Sequence, residues 1–148
     1  MTQNVLITGG LGYIGSVLYD NIKEEGWNVE ILDNHLYKEL LPVNPFIQAD
    51  VRNKDEIKKL IQNHDIVINL AAIVGDPACL IDTNLAIEIN CMGTRNVAEL
   101  CNKYEKKIVH VSTCSIYGSE PNIIVKETDE GFPIDFYGQT KYTQERIV

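Results

Sequence analysis

The chain has 148 residues, 45% of them apolar and 23% charged, with a formal net charge of −8. That is the size and composition of one globular domain with a sound core, and the acidic balance without a basic cluster argues against nucleic acid or anionic membranes as partners. No apolar run is long enough to cross a bilayer, and Met1-Thr2-Gln3-Asn4 carries no basic leader ahead of the first strand, so no signal peptide is expected.

The first predicted element is a short buried strand, Val5-Leu6-Ile7, which breaks into glycines at Gly9, Gly10, Gly12 and Gly15. Apolar residues at helical spacing follow at once: Ile14, Val17, Leu18 and Ile22. Strand, glycine turn and helix together form a cradle for a pyrophosphate, because a new helix N-terminus offers free N–H groups and partial positive charge. A side chain at Gly9 or Gly12 is expected to obstruct the phosphates, and one at Gly15 to push the helix off the strand. The glycines fit G-x-G-x-x-G from Gly10 and T-G-x-x-G-x-x-G from Thr8, and spacing alone leaves both registers open. Residues 28–33, NVEILD, predict a second strand ending in Asp33, 18 residues after Gly15. A carboxylate there can accept hydrogen bonds from both adenosine ribose hydroxyls.

Residues 34–44 read as a loop, and Phe46–Ala49 as a short third strand ending at Asp50. Residues 53–63 predict a helix with Asn53 as N-cap and Ile57, Leu60 and Ile61 on one face. Residues 65–72, DIVINLAA, predict a central strand. A long helix is expected over 83–104, with Gly93 inside it costly unless something packs close there. A fifth strand is expected over 107–112, then a turn-rich stretch over 117–133, then a helix over 135–148. This alternation predicts an α/β fold, a doubly wound parallel sheet with ligands outside the carboxyl ends of its strands. Gly9–Gly15, Asp33, Asp50, Ala71-Ala72 and Ser112-Thr113 all fall at such ends.

Cys79, Cys91, Cys101 and Cys114 form no C-x-x-C pair, and His35, His64 and His110 are scattered. No metal site is expected, and reduced thiols in a cytoplasmic protein are the default. The chemistry-bearing stretch lies near the C-terminus. Tyr137 and Lys141 stand at i, i+4 on one helix face, where an ammonium beside the phenol is expected to lower its pKa from near 10 toward neutrality. Such a tyrosine can take a proton from a hydroxyl while hydride leaves the same carbon. Ser112-Thr113-Cys114-Ser115 can hold the reacting oxygen beside it.

These motifs, in this order, resemble the extended short-chain dehydrogenases/reductases, and within them the NAD-dependent epimerase/dehydratase group acting on nucleotide sugars. The likeness covers essentially the whole chain. Residues 8–15, TGGLGYIG, match the T-G-x-x-G-x-x-G loop, which settles the register on Gly9, Gly12 and Gly15. Asp33 resembles the ribose-binding acid, and Ala49-Asp50-Val51-Arg52 the segment whose Asp holds the adenine amino group. Asn69-Leu70-Ala71-Ala72 resembles an H-L-A-A strand end with Asn in place of His. Residues 90–94, NCMGT, resemble N-x-x-G-T, whose Asn is structural near the active site. Residues 112–118, STCSIYG, place Thr113 at the catalytic Ser/Thr position, and Tyr137 and Lys141 match Y-x-x-x-K.

The resemblance implies a Rossmann-type domain with bound NAD, reduced and reoxidised within one cycle. It implies Thr113, Tyr137 and Lys141 as catalytic residues, Tyr137 as base. It implies cofactor contacts from Gly9, Gly12, Tyr13, Ile14, Gly15, Asp33, Asn34, Asp50, Val51, Leu70, Ala71, Ala72, Asn90, Tyr137 and Lys141. A nucleotide sugar is the implied substrate and a homodimer the implied assembly of the full-length protein. Relatives continue well beyond Lys141, so residues 1–148 are expected to be an incomplete NAD-binding domain without its substrate domain. Val74 stands where some epimerases carry Lys, and Asp76 is expected either to cap a helix or to reach substrate. In 4,6-dehydratases of the family an Asp-Glu pair follows the catalytic Thr; Cys114 and Ser115 occupy those positions, which points away from that reaction. The alternative is a dinucleotide-binding sensor or scaffold without turnover.

Overall fold

A computed structural model of the chain describes residues 2–38, 42, 44–118 and 124–148. Five strands, β1 (Asn4–Thr8), β2 (Asn28–Asp33), β3 (Ile47–Gln48), β4 (Ile66–Asn69) and β5 (Lys107–His110), form one parallel sheet in the order β3-β2-β1-β4-β5. The helices are α1 (Tyr13–Glu24), α2 (Lys54–Asn63), α3 (Asp76–Ile81), α4 (Thr83–Ala86), α5 (Thr94–Lys103) and α6 (Phe136–Glu145).

Side chains alternate along β1, and both faces are apolar because both are covered. Val5 and Ile7 pack with Ile31 and Tyr19 under α1. Leu6, Leu32 and Val67 pack on the other face with Ile57 and Ile61 of α2 and Val97, Leu100 and Cys101 of α5. Asn53 caps α2 as expected, accepting from the Glu56 N–H, while its own amide donates to the Glu56 carboxylate at 2.7 Å. A third cluster lies beyond the strand ends, where Ile73, Cys79, Ala86 and Ile89 meet Phe136 and Tyr137. The order of strand addition reverses at β1, with β2 on one side and β4 on the other, and the crevice between them opens at the carboxyl ends.

The elements differ from the sequence expectation in three respects. The third, fourth and fifth strands are shorter; just past two of them the Ala49 N–H still donates to the Asp33 carbonyl at 3.1 Å and the Leu70 N–H to the Thr8 carbonyl at 3.0 Å. Residues 76–81 form a helix that no apolar period announced. The long helix is broken in character: α4 runs into a π-helical segment, Ile87–Gly93, and then into α5. Gly93 has its packing reason, since a Cβ there would stand 2.6 Å from the Val51 side chain. Parts of the loops predicted over 34–44 and 117–133 lie outside the described residues.

A buried polar row ties the strand ends together. The Thr8 hydroxyl donates to the Asn69 side-chain oxygen at 2.7 Å, and the Asn69 amide donates to the Thr94 hydroxyl at 3.2 Å. The same amide lies 3.3 Å from His110 Nδ1. Burial and the neighbouring Lys141 charge push the His110 pKa down to about 4.

Candidate dinucleotide site

The crevice holds a cavity of about 780 Å³, within the range of small-molecule sites. Its floor is the turn between β1 and α1. Gly9 has φ +70°, and a Cβ on it would meet the Ala71 backbone at 2.7 Å. Gly9 therefore lets the turn lie against the end of β4. A Cβ on Gly15 would meet the Gly10 backbone at 2.5 Å, so that glycine lets α1 pack closely on the turn leaving β1. Gly12 is the one that opens toward the cavity: its nearest neighbour would be the Gly9 carbonyl at 3.3 Å. Space beside Gly12, at the N-terminus of α1, suits a phosphate.

Asp33 lines the cavity at the end of β2 with both carboxylate oxygens oriented by backbone. One accepts from the Leu11 N–H at 3.1 Å and the other from the His35 N–H at 2.8 Å. Tyr13, Ile14, Asn34, Val51, Leu70, Ala71 and Ala72 also line the cavity, with Gly9, Gly12 and Gly15. Tyr137 and Lys141 reach it from α6 at the far end.

Three predicted residues do not line it. The Asp50 carboxylate is held in a fork by Arg52 at 2.8–3.1 Å and takes the Asn34 amide at 3.2 Å. The Arg52 hydrogen bonds hold its pKa below the usual range against the upward push of burial. Arg52 also pairs with Glu88 at 3.0 Å, which ties the β3–α2 loop to the π-helical segment. Asn90 lies fully buried behind the wall. Its side chain accepts from the Ile73 N–H at 2.8 Å and donates to the Ile73 carbonyl at 3.0 Å and to the Thr140 hydroxyl at 3.1 Å. Its backbone carbonyl, in the wide π turn, takes the Gln144 amide at 2.6 Å. Thr113 is set back from the cavity, and its hydroxyl pairs with that of Ser115 at 3.3 Å and accepts from the Ser115 N–H.

The electrostatics correct one expectation. Lys141 does not lower the Tyr137 pKa. It is 5% exposed, its ammonium donates to the Val111 carbonyl at 2.5 Å, and burial pushes its pKa down to about 8. Burial raises the Tyr137 phenol instead, with Cys79, Asp135 and Cys114 adding to the rise and the Thr113 hydrogen bond opposing it. Tyr137 is thus a phenol at neutral pH.

Sequence reasoning missed the Leu11 N–H and the wall residues Ile73, Ile89 and Val111, while Ser112, singled out at its strand end, does line the cavity. Proximity to motif residues was the only signal available for most of them. Asp76 serves a helix start, but not that of its own helix: it is the first residue of α3, and its carboxylate accepts from the N–H groups of Phe136 and Tyr137 in α6.

A parallel sheet in this order, with a glycine turn on the first helix and an acid closing the second strand, defines a Rossmann-type dinucleotide domain. The profile of the NAD dependent epimerase/dehydratase family matches residues 5–148, and the chain belongs to that family. It is 37% identical over 124 residues to the UDP-N-acetyl-alpha-D-glucosaminuronate decarboxylase of Bacillus cytotoxicus, covering 80% of this chain and 39% of that protein. It is 30% identical to the UDP-glucose 4-epimerase of Lacticaseibacillus casei, covering 99% of this chain and 46% of that one. The crystal structure of Thermus thermophilus UDP-glucose 4-epimerase in complex with NAD superposes with a TM-score of 0.84 at 29% identity, over 97% of this chain and 49% of that one. The chain thus spans about half the length or less of these relatives. Among the described residues no helix is long and apolar enough to cross a membrane, and no cluster of metal-binding side chains occurs.

Proposed function

We propose that this chain is the NAD-binding domain of a nucleotide-sugar epimerase or related oxidoreductase, with Tyr137 as the proton-transfer group. The observation that carries the reading is the cavity wall shared by Gly12, Asp33, Tyr137 and Lys141, a phosphate cradle and ribose acid at one end and an acid–base pair at the other. The residues fit the cofactor: Gly12 leaves room for the pyrophosphate, and Asp33 is held ready for the ribose hydroxyls. When bound, NAD supplies the hydride acceptor and donor and, in its oxidised form, a positive charge that favours the phenolate.

Tyr137 takes the proton of the sugar hydroxyl and returns it in the reverse half of the cycle. Thr113, near enough to the phenol to oppose the rise in its pKa, is assigned to orient the reacting oxygen. Lys141 holds positive charge at the buried end of the site and is the natural partner of the nicotinamide ribose hydroxyls. Asn90 supports the wall through Ile73, and Asp50, forked by Arg52, holds the Asn34 side chain that lines it. For a 4-epimerase, the keto sugar turns over in the site before the proton and hydride return.

The nucleotide sugar is gripped by a domain outside residues 1–148; the support is that relatives of the family are about twice as long. A homodimer fits the exposed Ile87 and Met92 on the long helix, and a cytoplasmic setting fits four free cysteines. The test uses the longest natural polypeptide that contains these residues. With NAD and a UDP-hexose, wild type gives an epimerised or oxidised sugar. Tyr137→Phe abolishes turnover yet keeps NAD bound; a mutant retaining a tenth of the wild-type rate, about 1.4 kcal/mol of barrier, places the base elsewhere. NAD binding without turnover of any sugar nucleotide by wild type favours a sensor or scaffold.

A further inference from the structure

Helix α6 carries Tyr137 and Lys141, so its starting point sets where both side chains reach the cavity. A helix opens with N–H groups that have no partner within it. In α6 the first three are all taken. The Gly138 N–H donates to the Asp135 carboxylate at 2.6 Å, the ordinary bond of an N-cap. The Phe136 N–H donates to Asp76 Oδ1 at 2.8 Å, and the Tyr137 N–H to the same oxygen at 3.3 Å. The Gln139 N–H then makes the first bond back to the Asp135 carbonyl at 3.0 Å.

Asp135 is local, but Asp76 comes from 60 positions earlier, from the segment that leaves β4 along the cavity wall. Gly75 before it, the N-cap of α3, has φ +88°, a left-handed backbone that suits glycine. Apolar contact accompanies the polar one: Ile73, Cys79 and Ala78 of this segment pack with Phe136 and Tyr137. On its other side α6 is pressed against the turn after β5, since a Cβ on Gly138 would meet the Ser115 carbonyl at 2.9 Å. A carboxylate also suits the positive end of the helix.

We propose that Asp76 is a positioning residue for Tyr137: by accepting both opening N–H groups of α6, it fixes the start of that helix and the placement of the phenol relative to the cavity. The proposal rests on the proton-transfer role of Tyr137 given above. It predicts that the acceptor oxygen matters more than the charge, because both bonds go to one oxygen.

Two variants and two readouts test it. In the longest natural polypeptide containing these residues, assayed with NAD and UDP-glucose, Asp76→Ala lowers kcat tenfold or more while KM and NAD affinity stay within threefold. Asp76→Asn, which keeps an acceptor oxygen, stays within threefold of wild type. The second readout needs no turnover: in the 148-residue chain, amide hydrogen exchange at Phe136 and Tyr137 quickens at least tenfold in Asp76→Ala, and Gly138, held by Asp135, is unchanged. Unchanged exchange at Phe136 and Tyr137 overturns the proposal. So does an undiminished kcat in Asp76→Ala, a parallel loss of NAD affinity, or an Asn variant as impaired as the Ala variant. If wild type fails to act on UDP-glucose, the assigned activity on that substrate fails by itself and the exchange experiment decides the role of Asp76.

Discussion

Replacing Lys141 by methionine should stabilise this protein at neutral pH while destroying its chemistry. The ammonium is 5% exposed, and burial pushes its pKa from 10.5 down to about 8. A difference of that size is about 3 kcal/mol at pH 7, charged in the native state against an unfolded chain that holds the proton freely. Losing the bond to the Val111 carbonyl gives back about 1 kcal/mol. The net gain for Lys141→Met is about 2 kcal/mol, which raises Tm by about 4–8 °C for a chain of this length. The pH dependence has a definite sign. Below pH 8 both states are protonated and the burial cost is complete. Between pH 8 and 10.5 the native state has given up the proton and the unfolded state has not, so wild-type stability rises with pH through that window. The advantage of Lys141→Met is therefore flat up to pH 8 and shrinks above it. Thermal melts followed by circular dichroism at about pH 7 and about pH 9.5, in reductant, measure both quantities. A variant melting at or below wild type at the lower pH, or a gap that does not narrow at the higher one, refutes the reasoning.

His110 gives a second, acidic limb: its native pKa of about 4 lies below the reference near 6.5, so stability is complete above pH 6.5 and falls toward pH 4. His110→Gln should flatten that limb in melts across the same range. The chain should bind NAD more tightly than NADP, because a carboxylate closing β2 at Asp33 would repel a 2′-phosphate on the adenosine ribose; titration of both decides, and Asp33→Ala should narrow the difference. No water should be lost from UDP-, GDP- or dTDP-hexoses in the longest polypeptide carrying these residues. Cys114 and Ser115 are poor proton donors to a leaving hydroxide, Glu127 is exposed, and Glu120 lies outside the described residues. A 4-keto-6-deoxy product by mass would overturn that assignment.

Features written in short spacings were legible in the sequence. Gly9–Gly15 with Asp33 announced the cradle, and Tyr137 with Lys141 announced a helix face turned to the site, because turn chemistry and helical period are local. What the side chains do once there was not legible. The i, i+4 spacing puts Lys141 near Tyr137, but its ammonium goes to the Val111 carbonyl, a partner 30 positions away, because a buried charge takes the nearest acceptor. Asp76 capping α6, Arg52 forking Asp50, and Gln144 reaching the Asn90 carbonyl depend on how side chains and segments meet in space, which no period along the chain encodes. The third core cluster was hidden for the same reason: Ile73, Cys79 and Ile89 fit no common repeat.

The wide turn at Ile87–Gly93 also redirects the helix that follows it. Such a turn is equivalent to one residue slipped into an ordinary helix, and everything after it is rotated by about 100°. Before and within the turn, Ala86 and Ile89 face the third cluster, and after it, Val97, Leu100 and Cys101 face the sheet. One continuous rod thus serves two cores that lie in different directions. Removing a single residue there would restore a regular helix and swing one of the two apolar stripes into solvent. The segment therefore constrains helix length as strictly as it constrains Asn90, with its buried bonds, and Gly93, with no room for a Cβ beside Val51.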